Sequence, residues 1–387
     1  MQLSVIILNY NVRYFLEQCV LSVQEAIVGI DAEIIVIDNN SSDESVLMMK
    51  ERFPEVKLIE NGKNFGFPKG NNIGVRQAKG KYICILNPDT VVAEDTFVKI
   101  LAFAERQNNL GIIGCKLIDG TGEFLPESKR GIPSPWVAFT KIFGLYKIFP
   151  KTRLFNQYYA QHLNQNETGT VEILVGAFMF LERKLYQDLQ GFDEDCFMYA
   201  DDIDLSYRSL QLKKDNFYYP ETTVLHYKGE STIKDEKYMM HFQEAMNFFY
   251  KKHFKKSWFF SFFIQIGTWI FSFAKMFQGK RKIKPDPESY IFYSLNEDLS
   301  QKIALTLKNK VRFLEIPKEK MVNSCLIFKR KKVEIILDNQ YISFKKCIEI
   351  IETIKDKSIT FKILPKKTHF IIGSNSRNDR GQIVKIE

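Results

Sequence analysis

Four apolar runs near the amino terminus each end in a polar tip, and this repeat constrains the fold more than any other feature of the chain. Ser4–Leu8 runs into Asn9-Tyr10-Asn11, and Glu33–Ile37 into Asp38-Asn39-Asn40. Val56–Ile59 leads to a stretch through Asn64, and Tyr82–Leu86 ends at Asn87-Pro88-Asp89-Thr90. Short, apolar, partly β-branched runs of this kind read as strands buried on both faces. Helix-like segments separate them, which implies a parallel, doubly wound α/β sheet. Pro88 has no N–H to give a ladder, so pairing stops there and Asp89 emerges at the carboxyl end of its strand. Ligands bind at that edge in open α/β sheets, and Asn9, Asp38, Asn64 and Asp89 would converge on it.

The tips differ in what they can do. A carboxylate at Asp89 suits a hard divalent cation that also holds a diphosphate. Asp38 can accept from a base imide N–H, although an Asp after a strand also caps turns. In Asn64-Phe65-Gly66-Phe67-Pro68-Lys69-Gly70-Asn71-Asn72-Ile73-Gly74, the glycines allow close backbone approach. The Asn side chains there can both donate and accept around ribose and phosphate. A second carboxylate cluster, Asp201-Asp202-Ile203-Asp204, opens a helix reaching about Gln211. One acidic residue would satisfy a positive helix end; three exceed that need.

The ordered motifs Ile6-Ile7-Leu8-Asn9-Tyr10-Asn11, Val36-Ile37-Asp38-Asn39-Asn40-Ser41-Ser42-Asp43, Asn64–Gly74 and Leu86-Asn87-Pro88-Asp89-Thr90 resemble glycosyltransferase family 2. The likeness is to its GT-A fold and rhamnosyltransferase-like branch, over roughly residues 1–250. It implies inverting transfer from a nucleotide-diphosphate sugar, a UDP- or dTDP-sugar, with Mn²⁺ or Mg²⁺ bridging the phosphates. By that likeness Leu8, Asn9, Tyr10, Asp38, Asn64, Gly66, Asn71 and Asn87 hold the nucleotide sugar, and Asp89 the metal. The family's Asp-x-Asp reads Asn87-Pro88-Asp89 here, leaving one carboxylate where two are usual. A His at the position of His226 often helps bind the metal in this family, which would compensate for Asn87. The acidic cluster resembles the family's Glu-Asp-x-Asp-Leu motif with Asp201 in place of Glu. Asp202 is then the base that takes the acceptor hydroxyl proton, Asp201 its support and Asp204 a group behind them.

With 387 residues, 45% of them hydrophobic, the chain can bury two domain cores. A net charge of +9 fits anionic partners, but Lys and Arg are spread rather than gathered in a stripe, which argues against nucleic acid. Six Cys without a CxxC pair read as reduced thiols of a cytoplasmic protein. Met1 to Leu8 lacks the basic region and cleavage site of a signal peptide and reads as a first strand.

The sequence predicts three parts: a GT-A domain over 1–250, a basic-flanked membrane-associated segment over 251–284, and a small Rossmann-like α/β module over 285–387. Ser257–Phe277 is long enough to span a bilayer. However, Ser257, Ser261, Gln265, Thr268, Ser272 and Lys275 form a polar stripe, and Lys and Arg cluster on both sides. An in-plane helix on anionic lipid accounts for both features, with a single span or a core helix as the other readings. The protein is accordingly placed at the cytoplasmic face of the cell membrane, acting on a glycan or lipid-linked acceptor. Past the Pro285-Asp286-Pro287 linker, Val311–Ile316, Val333–Asp338, Thr360–Leu364 and His369–Ile372 read as strands. This part has no phosphate-loop fingerprint; Asp338, at a strand end, is its one candidate ligand residue. A nucleotidyltransferase and a non-catalytic nucleotide-sugar-binding scaffold are the alternative readings. The first lacks its glycine-rich phosphate loop and leaves Asp201-Asp202 without a role; against the second stands the presence of both the metal Asp and the base pair.

Overall fold

A computed structural model describes residues 1–134, 136, 137, 140, 145–148, 152, 157–227, 236–254, 287–315, 332–354, 356, 358–375 and 381–386. The amino-terminal strands are β1 (Leu3–Asn9), β2 (Ala32–Asp38), β3 (Lys57–Glu60), β4 (Tyr82–Leu86), β5 (Thr90–Val91) and β6 (Leu110–Ile118). They are followed by β7 (Lys129–Arg130), β8 (Gly169–Thr170), β9 (Ile173–Leu174), β10 (Phe178–Glu182) and β11 (Asp215–His226). The main sheet runs β3-β2-β1-β4-β10-β6-β11-β5, with β8 on β11 and a separate β7–β9 pair. β3, β2, β1 and β4 are mutually parallel, so their carboxyl ends share one edge. β10 then inserts antiparallel between β4 and β6, making the sheet mixed.

The packing follows from sequence. β1 and β4 are buried along their whole length, as both faces of the sheet are covered. The helix Gly66–Arg76 lies close on β1 and β2 because Gly70 and Gly74 turn no side chain toward them. A Cβ at Gly70 would sit 2.5 Å from Leu8 Cδ1, and one at Gly74 2.4 Å from Ile37 Cδ1. The glycines read in the sequence as room for a ligand thus serve helix-on-sheet contact at these two positions.

The sequence predicts one strand over Ile173–Leu181, a short strand Phe217–Tyr219 followed by a turn at Pro220, and Ser41 or Ser42 as the cap of the next helix; all three change. Ile173–Leu181 is not one strand: β9 pairs with β7, and the chain crosses Gly176 and Ala177 before β10 joins β4. Pro220 does not end the Phe217–Tyr219 strand, because β11 continues to His226 through a register shift between Tyr219 and Thr223. Such a bulge is where a strand tolerates a residue without an N–H. Neither Ser41 nor Ser42 caps the next helix; the hydroxyl and N–H of Ser41 go to Asp38 and those of Ser42 to Asn11 Oδ1.

The second sheet, β13-β12-β14-β15-β16-β17, comprises β12 (Ser289–Ser294), β13 (Val311–Glu315), β14 (Val333–Asp338), β15 (Ile359–Leu364), β16 (Phe370–Gly373) and β17 (Gln382–Lys385). Its first four strands are parallel and the last two antiparallel. The helix Phe344–Thr353 buries Phe344, Cys347, Ile348, Ile350 and Ile351 in the same apolar core as β1, β4 and β6. Among the described residues no helix is long and apolar enough to cross a membrane. Residues 119–169, rich in Pro and aromatic side chains, read from sequence as a long loop over the sheet edge; of these Phe139, Phe143 and Phe149, like Ser257–Phe277, lie outside the described residues.

Candidate active site

Two pairs of candidate side chains lie toward the carboxyl edge. The first is Asp89 and His226. His226 ends β11 and lies opposite Thr90 of β5, and Tyr227 N–H donates to Asp89 O at 3.0 Å. This brings His226 Nε2 to 3.3 Å from Asp89 Oδ1 and 3.5 Å from Asn87 Nδ2, with both His226 and Asp89 buried. The pair is an ion pair only when the imidazole carries a proton. Apart from it, Asp89 Oδ1 and Asn87 Oδ1 are buried without a hydrogen-bond partner among the described residues. Orphaned buried oxygens are costly and are met by water, an ion or a ligand. One carboxylate, one imidazole and one amide oxygen fit a divalent ion such as Mn²⁺, which accepts both oxygen and nitrogen donors.

The second pair is Arg130 and Asp202. Arg130, on β7, donates from Nη2 to Asp202 Oδ2 at 2.5 Å and to Leu174 O at 3.4 Å. Gly176 N–H donates to the same Asp202 oxygen at 3.0 Å. Asp202 Oδ1 is buried and has no hydrogen-bond partner among the described residues. Asp202 sits in the first turn of the helix Asp201–Gln211, where helix N–H groups favour negative charge. Tyr199, left-handed at φ 75°, turns the chain into that helix.

Two consecutive residues, Gly176 and Ala177, join the pairs. Ala177 O accepts from Asn87 N at 3.0 Å, while Gly176 N–H holds Asp202. A Cβ at Gly176 would lie 3.4 Å from Asp202 Cβ and 3.6 Å from both Asp201 Oδ2 and Phe67 Cζ. The crossover that splits the expected long strand therefore links Asp202 to Asn87, at the start of the Asn87–Asp89 turn.

Asp201 and Asp204 take different parts. Burial, then the negative charge of Asp202, pushes the Asp201 carboxyl up to about 8. It is thus a neutral acid at pH 7, unlike an ordinary Asp. Burial would also raise Asp204, but the hydrogen bond from His253 and the charges of Arg208 and Lys252 outweigh it and hold Asp204 at about 2. Its oxygens meet Arg208 Nε at 2.7 Å, His253 Nε2 at 2.6 Å and Lys252 Nζ at 2.8 Å. Asp204 anchors the helix Glu236–His253 to the helix carrying Asp202.

The remaining expected residues spread along the edge. Asn9 and Asp38 are register partners, and Asn9 Nδ2 donates to Asp38 Oδ1 at 2.8 Å. Asn64 Oδ1 accepts from Gly66 N and from Asn39 Nδ2. Gly66 has φ +80°, and a Cβ there would meet Phe197 O at 2.8 Å, which accounts for the missing side chain. Asn71 gives its Nδ2 to Phe67 O and leaves a buried Oδ1 without a hydrogen-bond partner among the described residues. Leu8 lies in the core beneath the Gly66–Arg76 helix, and Tyr10 is 44% exposed. A cavity of about 630 Å³ lined by Asn72, Arg76, Glu194 and Arg208 holds none of the expected residues. Sequence reasoning missed Arg130: it sits in the poorly patterned stretch after β6, where only the adjacent basic pair Lys129-Arg130 stands out.

Residues 4–190 match the family described as Glycosyl transferase family 2. The N-acetylglucosaminyl-diphospho-decaprenol L-rhamnosyltransferase of Mycobacterium tuberculosis is 27% identical over 213 residues, 52% of this chain and 68% of that protein. Rhamnosyltransferase WbbL of Escherichia coli K12 is 26% identical over 208 residues, 50% of this chain and 72% of that protein. Among solved structures, the mannosyltransferase PcManGT of Pyrobaculum calidifontis aligns with TM-score 0.46 and 16% identity, over 72% of this chain and 76% of that one.

Proposed function

We propose, for a chain whose residues 4–190 belong to glycosyltransferase family 2, that it performs an inverting, metal-dependent transfer from a nucleotide-diphosphate sugar to a hydroxyl of a lipid-linked glycan. The observation that carries this reading is the buried, unpartnered Oδ1 of Asp202, tied through Gly176 and Ala177 to the Asn87–Asp89 turn. That link supports the reading, since it would set a proton acceptor beside a diphosphate-holding edge.

In the proposed reaction the acceptor oxygen forms a bond to the anomeric carbon as the bond from that carbon to the diphosphate oxygen breaks. The hydroxyl proton passes to Asp202 Oδ1, and the nucleoside diphosphate leaves with the bonding pair. Attack opposite the leaving group inverts the anomeric centre. Arg130 and Gly176 N–H fix the Asp202 carboxylate through its other oxygen, so Oδ1 remains for the acceptor. Asp201, protonated, adds no second charge beside it. Asp89 and His226, with Asn87, would hold the divalent ion, which supplies positive charge to the departing diphosphate. Asn9, Asp38, Asn64 and Asn71 supply the amides and carboxylate for base, ribose and phosphate.

The acceptor class comes from relatives whose names describe a diphospho-decaprenol acceptor and rhamnosyl transfer. A rhamnose-like donor sugar and a site of action at the cytoplasmic membrane face are parts of the same proposal. The three-part division at 250 and 284 belongs to it as well.

The test is a thermal-shift screen of UDP-, dTDP- and GDP-sugars with Mn²⁺, with Mg²⁺ and with EDTA. Stabilisation by one nucleotide sugar that needs the ion and is lost in Asp89→Ala supports the reading and names the donor. The anomeric configuration of product, read by NMR, then checks inversion. A folded protein that no nucleotide sugar stabilises would favour the non-catalytic alternative.

A further inference from the structure

The proposed metal edge rests on weak local structure. β5 is two residues long, and its ladder to β11 comprises Leu225 opposite Val91 and His226 opposite Thr90. β5 is the edge strand of the main sheet, where short pairings open most readily, while β11 lies between it and β6. Yet Asp89 and His226 must keep a fixed separation if they hold one ion together. Something beyond the ladder has to hold them.

The carboxyl-terminal unit touches both segments, through the two ends of one helix. At the start of Phe344–Thr353, Phe344 N–H donates to Glu94 Oε1 at 2.6 Å and Lys345 N–H to Glu94 Oε2 at 2.8 Å. A carboxylate across two N–H groups at a helix start combines charge-assisted hydrogen bonds with the helix dipole. Lys345 Nζ adds a bond to Asp95 at 2.7 Å. Glu94 and Asp95 follow directly on the chain that runs from Asp89 through β5. At the far end, Glu352 pairs with Lys116 at 2.6 Å and accepts from Thr223 Oγ1 at 3.2 Å. Thr223 lies on β11, ahead of His226 on the same strand. One helix of ten residues, about 15 Å long, thus spans the distance between the two segments.

A separate line of contact reaches the same point. Tyr227, whose N–H holds Asp89 O, is buried with its ring edge-on to Phe15 at 5.1 Å. Behind Phe15 stands Gly381 of the carboxyl-terminal unit; a Cβ there would lie 2.4 Å from Phe15 Cζ. The close fit of the two units is visible again at Gly122, φ +83°, where a Cβ would meet Ile351 O at 2.0 Å.

We infer that the carboxyl-terminal unit is a brace for the Asp89–His226 pair, and that Glu94 and Glu352 are positioning residues which set the affinity of the site for a divalent cation without touching it. This rests on the proposed metal role of Asp89 and His226. It assigns the unit a part in donor binding and needs no ligand of its own.

The test is a Mn²⁺ titration of the full chain, with free Mn²⁺ read by EPR, for wild type, Glu94→Gln, Glu352→Gln, Thr223→Val and His226→Ala. Urea denaturation runs alongside. The brace variants should stay folded and bind Mn²⁺ about threefold or more weakly, since elements coupled to a site shift affinity by that order. Thr223→Val removes one hydroxyl and keeps the reading testable if a Glu variant fails to fold. Lowered stability with unchanged Mn²⁺ affinity in the folded brace variants, while His226→Ala binds weakly, overturns the brace alone. Undiminished binding in His226→Ala overturns the metal reading and the brace with it.

Discussion

Arg130 holds one oxygen of Asp202 at 2.5 Å and leaves the other, buried, without a hydrogen-bond partner among the described residues. A carboxylate bound on one side keeps its geometry and offers a defined lone pair on the other. A freely rotating carboxylate would have to be ordered anew in each turnover.

Asp202→Asn tests this asymmetry. The amide keeps the size of the side chain and can still accept from Gly176 N–H, but it takes no proton. Turnover should fall by about 10²–10⁴-fold, the usual contribution of a general base. Donor affinity, measured by calorimetry with the nucleotide sugar, should be unchanged. Equal turnover in the variant would remove Asp202 from the base role.

Arg130→Ala should act first on stability. It leaves a buried carboxylate without its cation, which costs about 3–5 kcal/mol. Urea denaturation measures it. The double variant Arg130→Ala/Asp202→Asn should lose less than the two singles added together, because the charge left unpaired is then gone. Strict additivity would show that the two side chains do not interact.

Much of this site was legible in the sequence because its residues end strands. Asn9, Asp38, Asn87 and Asp89 each follow an apolar run, and the parallel order of β2, β1 and β4 brings such ends together. Arg130 was not legible. Its partner is Asp202, and they meet through the β7–β9 pair and the crossover at Gly176, which no local pattern encodes. β12 and the helix Glu297–Leu307 were missed for a different reason. Tyr290, Tyr293 and Ser294 dilute the apolar run of β12, and the helix exposes much of its surface. β11 was cut short at Pro220 because a bulge is a property of two strands rather than one.

Asp201 gives the protein a pH signature. Its folded-state carboxyl titrates at about 8, against an ordinary value of 3.8 in the unfolded chain. Between those values the folded state binds the extra proton, so stability falls as pH rises through that window and levels off above it. Asp201→Asn removes the ionisation. The variant should gain on wild type as pH rises from about 4 to about 8, by an amount on the order of a few kcal/mol at the upper end. Chemical denaturation at pH 5 and pH 8 is sufficient. An equal difference at both values would show that Asp201 is ionised in the fold.

Two glycines separate packing from function. Gly74 faces β1 and β2, and a Cβ there would lie 2.4 Å from Ile37 Cδ1 and 2.8 Å from Ile6 Cγ2. Both neighbours are fully buried, so neither can swing away. Gly74→Ala should therefore destabilise by about 1–3 kcal/mol, the ordinary cost of overpacking a core. Gly176 is different. Its nearest neighbours stand at 3.4–3.6 Å, ordinary contact distances, and its φ is not left-handed. Gly176→Ala should leave stability within about 1 kcal/mol of wild type, since alanine also restricts the unfolded chain. The new methyl would sit against Asp202 and Phe67, between the acidic cluster and the Asn64–Gly74 segment. Turnover should fall although the fold holds. The measurement is a pair, denaturation midpoint and kcat/KM, on both variants. Gly74→Ala should lose the first and Gly176→Ala the second. If Gly176→Ala turned over like wild type, the space in front of that residue would not be where the acceptor and donor meet.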